Sequence, residues 1–272
     1  MISYLVLPHL RVQGANMYNA AFLVGGPPVL AAWFMAHALG RKMGMAEEVR
    51  SLAFVLHSYT PLGDYFYGVF HPQLRRGAAY TFGSSKNGSD YSSKNRQALS
   101  LQPVACAHLE LSLVIGIRNL SATKGLEDLL TGGRLAGGVI CGMGAPRLHE
   151  DMEEALGSIR SGYLVMDRRD LLENTAGGNR AELFINALGH KPVAGDGLGW
   201  LSAACLGYAA ITSFEQRGGA REGYDHAFAE PLVGLVQYVP LRRCLDEGNA
   251  EQALWRPQWP ASDVFRIYQK QC

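Results

Sequence analysis

The chain has 272 residues, of which 48% are hydrophobic, so it can bury a large core as one domain or as one domain with an insertion. Its 25 Lys and Arg residues nearly balance 24 Asp and Glu residues. The net charge of +1 therefore excludes the class of strongly basic proteins whose overall positive field attracts nucleic acid. Any RNA site must therefore be a local patch.

The N-terminal residues predict a strand followed by a helix. Residues 2–7 are rich in strand formers and end at Pro8, which cannot donate to a central ladder. Farther on, Pro27–Pro28 opens a run with apolar residues at helical spacing, which Gly40 or Gly44 closes. The chain therefore begins in the order β-α.

The following segments continue this order around an excursion from the core. Residues 50–59 and 107–117 predict two strands, and residues 132–140 predict a fourth, bracketed by glycines, after a short helix ending at Leu130. The order β-α-β, insertion, β-α-β predicts an α+β protein with a ferredoxin-like palm. This antiparallel sheet backed by two helices is also the scaffold of RNA-recognition domains.

Residues 60–104 predict an inserted β-hairpin thumb. Their flanks, 78–82 and 98–101, can pair around a polar tip at 84–96. The predicted palm then comprises residues 1–59 and 105–272, including a C-terminal extension. At its end, aromatic residues predict that the terminus packs onto the core: Trp255, Trp259, Phe265 and Tyr268.

Positive charge concentrates in the insertion, and aromatic residues lie among the cations. The cations are Arg75, Arg76, Lys86, Lys94 and Arg96, and the aromatic residues include Tyr80 and Phe82. Cations bind phosphates and aromatic faces stack on bases, so this pattern predicts an RNA site. The same composition also fits a solvated loop that binds nothing.

A second candidate is the glycine-rich segment 132–138, which contains Arg134. Glycine has no Cβ and would let the backbone approach a phosphate closely. The segment matches neither a phosphate-binding loop nor a dinucleotide fingerprint, so turns or bulges explain it equally well.

The residue pattern gives no support for a catalytic function. None of the eight histidines lies in a metal-binding spacing, and no nucleophile motif occurs. The five cysteines form no C-x-x-C pair, and no apolar run approaches the ~20 residues of a membrane helix. We therefore expect a cytoplasmic protein that is not an enzyme and has no metal, no cofactor and no membrane segment.

Several ordered motifs resemble one known family. They are Leu7 to Asn16 (LPHLRVQGAN), Ala107 to Leu113 (AHLELSL) and Arg134 to Gly138 (RLAGG), followed by Gly162 to Val165 and Gly199 to Leu201. In this order they resemble the Cas-five-type RAMP subunit, the second Csy protein, of type I-F CRISPR surveillance (Cascade, or Csy) complexes.

The resemblance implies a non-catalytic subunit that binds the 5′ handle of the CRISPR RNA (crRNA). Its implied partners are the backbone RAMP subunit and the large subunit, with which it would nucleate assembly for DNA interference in antiviral defence. On this basis the candidate RNA-binding residues are Arg11, Asn16, Arg75, Arg76, Tyr80, Phe82, Lys86, Lys94, Arg96 and Arg134.

Three alternatives stay open. The chain could be a guide-processing endoribonuclease of the same superfamily, with His9, His57 or His71 as general base. It could belong to a variant system without a large subunit and itself read target DNA at the protospacer-adjacent motif (PAM). It could also be a scaffolding subunit whose basic loop contacts protein.

Overall fold

A computed structural model of the chain describes residues 2–20, 22–72, 74–76, 101–103, 105–123, 125–173, 179–193, 195, 197–218 and 223–270, with backbone alone at 74–76 and 101–103. Its strands are β1 Ile2–Asn16, β2 Tyr18–Ala20, β3 Leu23–Val24, β4 Val49–Phe66, β5 Val69–Pro72, β6 Leu74–Arg76, β7 Leu101–Pro103, β8 Cys106–Arg118, β9 Arg134–Leu135, β10 Gly138–Gly142, β11 Arg147–His149, β12 Tyr163–Asp167, β13 Leu201–Ala210, β14 Ala229–Pro240, β15 Arg256–Ala261 and β16 Val264–Tyr268. Its α-helices are α1 Val29–Lys42, α2 Leu126–Leu130, α3 Met152–Gly157, α4 Asp170–Glu173, α5 Arg180–Gly189 and α6 Leu241–Asp246.

Most of the described strands form one large antiparallel sheet. Its order is β15-β16-β13-β14-β12-β4-β8-β1-β10-β9, with β11 also paired to β1 and β5 to β4. The central strands β4, β8 and β1 are long, and their pairing extends from Val49↔Ile117 on one side of β8 to Asn16↔Cys106 on the other, with register shifts within both ladders. This centre of the sheet positions the residues discussed below.

Four strands at this centre bear on the predicted palm. In chain order β1, β4, β8 and β10 are the first to the fourth of these strands. Across the sheet their order is β4-β8-β1-β10, that is, the second, third, first and fourth strand. Helix α1 connects the first two strands, and α2 lies between the last two. Because two β-α-β units interleave in this way in ferredoxin-like folds, we propose that these elements are the palm.

The prediction that the first strand ends at Pro8 is wrong, because β1 continues to Asn16. A bulge absorbs the proline: the register between β1 and β8 shifts at this point, and His9 has a φ of 52°. The His9 amide donates to Ser112 Oγ at 2.9 Å, and the Pro8 carbonyl accepts from the Gly144 amide at 2.8 Å. These bonds replace the regular ladder at the position where proline has no donor.

Three of the other predicted elements are confirmed, and one is wrong. The helix after Pro27–Pro28 is confirmed as α1, and the predicted second and third strands are confirmed as β4 and β8. The single strand predicted over 132–140 is wrong, because β9 and β10 form a hairpin there. Its turn needs positive φ angles, which Ala136 (48°) and Gly137 (77°) supply.

The core lies on both faces of the sheet. Along β1, Leu5 and Leu7 pack with Trp33 of α1, whereas Val6 joins Leu156 of α3 on the other face. This alternation is the period of two expected of a strand buried on both faces. Within the described ranges, no helix has the length and apolar character required to cross a bilayer.

The C-terminal strands pack onto this core through Trp255. Its side chain is fully buried, and its indole donates to the Val165 carbonyl at 3.1 Å. Its backbone exchanges two hydrogen bonds with Leu52 of β4. The predicted packing of the terminus is therefore confirmed for Trp255, but it is wrong for Trp259, which is 59% exposed.

Candidate functional site

One face of the central sheet turns from apolar to polar along its length. Helices α3 and α6 cover this face at Val6, Val55 and Val114. Beyond these residues the strands place polar side chains on the same face, because their neighbours Leu10, Val12, Leu109 and Leu111 belong to the core under α1. We call this set the polar face: His9, Arg11 and Gln13 of β1, His57 of β4, and His108, Glu110 and Ser112 of β8.

Two histidines lie together at the start of the polar face. The rings of His9 and His57 stack with centroids 4.3 Å apart and an interplanar angle of 21°. Ser112 Oγ accepts from the His9 amide at 2.9 Å and lies 2.6 Å from His57 Nε2, where the ring tautomer decides which of the two donates. A contact with the Ser161 backbone favours the charged form of the His57 ring.

The surroundings of His57 favour its neutral form. Burial lowers the pKa of His57 below its ordinary value, and the neighbouring His9 lowers it further, against the opposing effects of Glu110 and Ser161. Nε2 of His57 contacts Ser112, and Ser112 is fully buried. The pair therefore has the distance of a serine–histidine couple, but its hydroxyl is not exposed.

The other two histidines considered as general bases lie in different settings. His9 Nδ1 contacts Glu110 Oε1 at 2.7 Å, and both side chains are partly exposed. His71 lies on the hairpin of β4 and β5, where its ring packs edge-on against Phe66 at 5.5 Å. The structure thus brings His9 and His57 together and leaves His71 apart from them.

Arg11 is the cation of the polar face. It is exposed and lies between Glu110 of β8 and Gly142 of β10 in the two registers. A Cβ at Gly142 would lie 2.5 Å from Arg11 Nη2, so the glycine gives the guanidinium room to lie across β10. Among the described residues, no carboxylate is within 4.0 Å of this guanidinium, which makes it available to an anion.

Asn16 at the end of β1 and Arg134 of β9 each bond to the turn of the glycine-rich hairpin. The Asn16 amide donates to the Ala136 carbonyl at 2.8 Å, and Arg134 Nη1 donates to the Gly137 carbonyl at 2.9 Å. Both side chains are exposed. Gly138 packs so closely on β1 that a Cβ there would lie 2.6 Å from the Ala15 nitrogen, so this glycine serves the sheet. Phosphate binding by the hairpin stays a prediction.

The remaining candidate residues lie in the insertion. Arg75 and Arg76 belong to β6, whose backbone pairs with β7 as Arg76↔Leu101 and Arg75↔Gln102. The other candidates lie outside the described residues: Tyr80, Phe82, Lys86, Lys94 and Arg96. The described strand β4 runs without interruption across the predicted boundary at residue 60, to Phe66.

Sequence reasoning missed the aromatic residues of the β4–β5 hairpin. Tyr65 and Phe70 pack with centroids 5.2 Å apart, and Tyr67 is fully exposed at the turn with a φ of 50°. The signal was present as four aromatic residues within Tyr65–Phe70. Exposed aromatic rings at the base of the basic segment are the type of group that stacks on bases.

The described residues form no group of three or more His, Cys, Asp or Glu side chains placed to hold a metal ion.

The chain is an α+β protein whose central antiparallel sheet carries one partly open polar face. The family model Cas_Csy2, described as a CRISPR-associated protein, matches residues 5–188. This range is more than half of the chain, and the chain belongs to that family.

The family confirms the resemblance in the sequence motifs, for which the Cas-five-type label is a broader name of the same subunit. The chain is therefore a subunit of type I-F CRISPR (Csy) complexes and associates with other components of such a complex. A search of curated proteins gave no match.

Proposed function

We propose that this chain is a non-catalytic subunit that binds the 5′ handle of the crRNA and nucleates assembly with the large and backbone subunits. The observation that carries the proposal is the position of Arg11 on the polar face, beside β10 and with no carboxylate partner among the described residues. An RNA-recognition sheet uses such a face, where cations bind phosphates and rings stack on bases.

The end of β1 extends this surface. Asn16 and Arg134 are exposed and joined through the β9–β10 turn, within the motifs of the family match. Arg134 is oriented by the Gly137 carbonyl and keeps further guanidinium donors for a phosphate. We infer that these two residues contact the handle next to Arg11.

The insertion supplies the second half of the proposed interface. Five cations between residues 75 and 96 oppose one carboxylate, Asp90, and Tyr80 and Phe82 lie among them. We propose that the segment 60–104 is a thumb that lies over the guide, with the aromatic residues of the β4–β5 hairpin at its base.

The geometry of the histidines argues against His57 as the base of the endoribonuclease alternative. Metal-independent RNA cleavage needs an available base and an oxyanion stabiliser at one 2′-hydroxyl. His57 Nε2 contacts the buried Ser112 hydroxyl, whereas Glu110 on Nδ1 of His9 orients that exposed ring as a carboxylate orients a catalytic histidine, so a cleavage assay decides whether His9 acts as a base. If the chain instead reads the PAM, the same polar surface would bind target DNA in place of the guide RNA.

Reversing the charges of Arg75 and Arg76 together is expected to weaken binding of handle RNA at physiological salt by at least about tenfold. The loss of two phosphate contacts should also lower the slope of log affinity against log salt by about two. Fluorescence anisotropy with labelled handle RNA measures both, and the RNA should be recovered at full length.

The matched control is Arg50→Glu with Arg180→Glu, two exposed arginines outside the proposed interface. Unchanged affinity in the Arg75/Arg76 variant would contradict the thumb assignment. Specific cleavage of repeat RNA would instead favour the endoribonuclease alternative.

A further inference from the structure

A second aromatic surface lies at the start of β12, where Tyr163 pairs with Leu56, the neighbour of His57 in β4. Trp200, just before β13, is 71% exposed, although tryptophan is among the largest apolar side chains. Its ring stacks on Tyr163 at the start of β12, with centroids 6.1 Å apart and an interplanar angle of 29°. Tyr163 is itself 42% exposed, so the two rings form an open platform.

The backbone holds Trp200 in an unfavourable conformation. Its φ is 63°, in the left-handed region that a bulky residue rarely adopts. The Tyr238 amide donates to the Trp200 carbonyl at 3.1 Å and ties the residue to β14. Such strain persists only where the surroundings impose it, and it concentrates at ligand-binding positions.

A hydrogen-bond network fixes the chain that precedes Trp200. Gln237 Nε2 donates to the carbonyls of Gly197 and Gly199, each at 2.7 Å. The side-chain oxygen of the same residue, Gln237 Oε1, accepts from Arg168. Asp170 in turn holds the Arg168 guanidinium through hydrogen bonds of 3.0 to 3.2 Å. The exposed ring is therefore positioned by the fold.

A cleft of about 710 Å³, lined by both polar and apolar side chains, begins at Trp200 and runs between β14 and α6. Of its three carboxylates, Asp167 is held by Arg169, Asp170 by Arg168 and Glu247 by Arg243. Among the cations that line the cleft, Lys270 is the one whose ammonium group has no carboxylate of the described residues within 4.0 Å. Asn249 adds amide groups, so the walls offer hydrogen-bond donors and acceptors next to the aromatic platform.

We propose that an unpaired nucleobase stacks on Trp200, with its polar edge and neighbouring phosphate in this cleft. Stacking on an exposed, fixed aromatic ring accepts any base, and the cleft volume lies in the usual range for a small ligand. Lys270 and Asn249 place a cation and an amide beside the ring, and these are groups that bind the phosphate and the polar edge of a base. The proposal rests on the proposed function only in that the chain meets single-stranded nucleic acid.

Tryptophan fluorescence tests directly whether a base stacks on Trp200. Of the four tryptophans, Trp33 and Trp255 are buried and Trp259 is exposed, so Trp259→Phe leaves Trp200 as the exposed reporter. The full chain with this change is titrated with short single-stranded RNA and DNA, while anisotropy follows binding of the labelled oligonucleotide. We expect quenching on binding, and the nucleic acid that quenches identifies whether the base comes from the guide or from target DNA.

In the unmodified background, Trp200→Ala is expected to lower oligonucleotide affinity about tenfold, as the loss of one stacked base does. Trp200→Phe keeps a ring and should lose less than about threefold. Trp259→Ala is the matched control and should change nothing. Because the alanine variant could disturb the strained turn, circular dichroism must show an unchanged fold.

Binding by anisotropy without quenching, together with unchanged affinity in Trp200→Ala, would overturn the proposal and leave the proposed function intact. No binding of any oligonucleotide would overturn both. A Trp200→Ala chain that binds oligonucleotides normally but fails to assemble with the other complex subunits would assign the platform to a protein partner, which also overturns the proposal.

Discussion

Arg11→Glu is expected to weaken binding of the crRNA 5′ handle by about thirtyfold, because it removes a charge-assisted contact and places a carboxylate opposite the phosphate. Converted, this is about 2 kcal/mol. The new carboxylate would also face Glu110, its partner in the register with β8. Anisotropy with labelled handle RNA at several salt concentrations measures both the affinity and the salt slope.

The control is Arg50→Glu, the same charge change at the opposite end of the sheet, where β4 begins. It should leave handle affinity within about twofold, since a remote surface charge is screened at physiological salt. If both variants bind alike while both remain folded, Arg11 is not part of the RNA interface and the polar face loses its proposed role.

Trp255→Ala is expected to lower the free energy of unfolding by about 3–5 kcal/mol, the range for removing a large buried aromatic side chain. The residue is fully buried and its backbone joins the C-terminal segment to Leu52. The Val165 carbonyl keeps a second donor, Gln269 Nε2 at 3.1 Å, so the cavity accounts for most of the loss. Urea unfolding followed by circular dichroism measures it.

Trp259→Ala provides the comparison, because this exposed ring contacts Phe265 at the surface. It should lower stability by less than about 1 kcal/mol. Equal losses in the two variants would mean that the C-terminal strands are not integrated with the central sheet at Trp255.

The periodic elements of this chain can be predicted from its sequence. In β8, polar residues alternate with Leu109, Leu111 and Leu113, and this period of two predicts both the strand and its two faces. The prolines before α1 likewise predict where that helix begins, and Gly44 lies just after its end, whereas Gly40, the other predicted stop, lies within the helix. In these elements the local pattern and the tertiary packing agree.

Bulges and turns were harder to predict because tertiary contacts decide them. Pro8 ends a strand by its local chemistry, yet the Ser112 hydroxyl and the Gly144 amide satisfy the backbone around it. Glycines between 132 and 138 fit one strand or a hairpin equally well, and the positive φ angles at Ala136 and Gly137 select the hairpin. Propensity alone cannot distinguish these outcomes.

The site was predictable only in part, because it joins strands that are distant in sequence. Arg11, Asn16 and Arg134 are recognisable one by one, but the stacking of His9 on His57 depends on the order β4-β8-β1. Exposure of Trp200 has no signal in sequence at all, since a tryptophan before an apolar strand usually packs inside. Sheet order and strain are properties of the whole fold.

The most direct test of the central proposal is ultraviolet crosslinking of the reconstituted complex with labelled guide RNA, followed by mapping of the crosslinked peptides. We predict crosslinks to the 5′ handle from residues 9–16, 70–100 and 130–140. Crosslinks absent from these segments, or confined to the 3′ hairpin of the guide, would contradict handle binding and favour the processing or scaffolding alternatives.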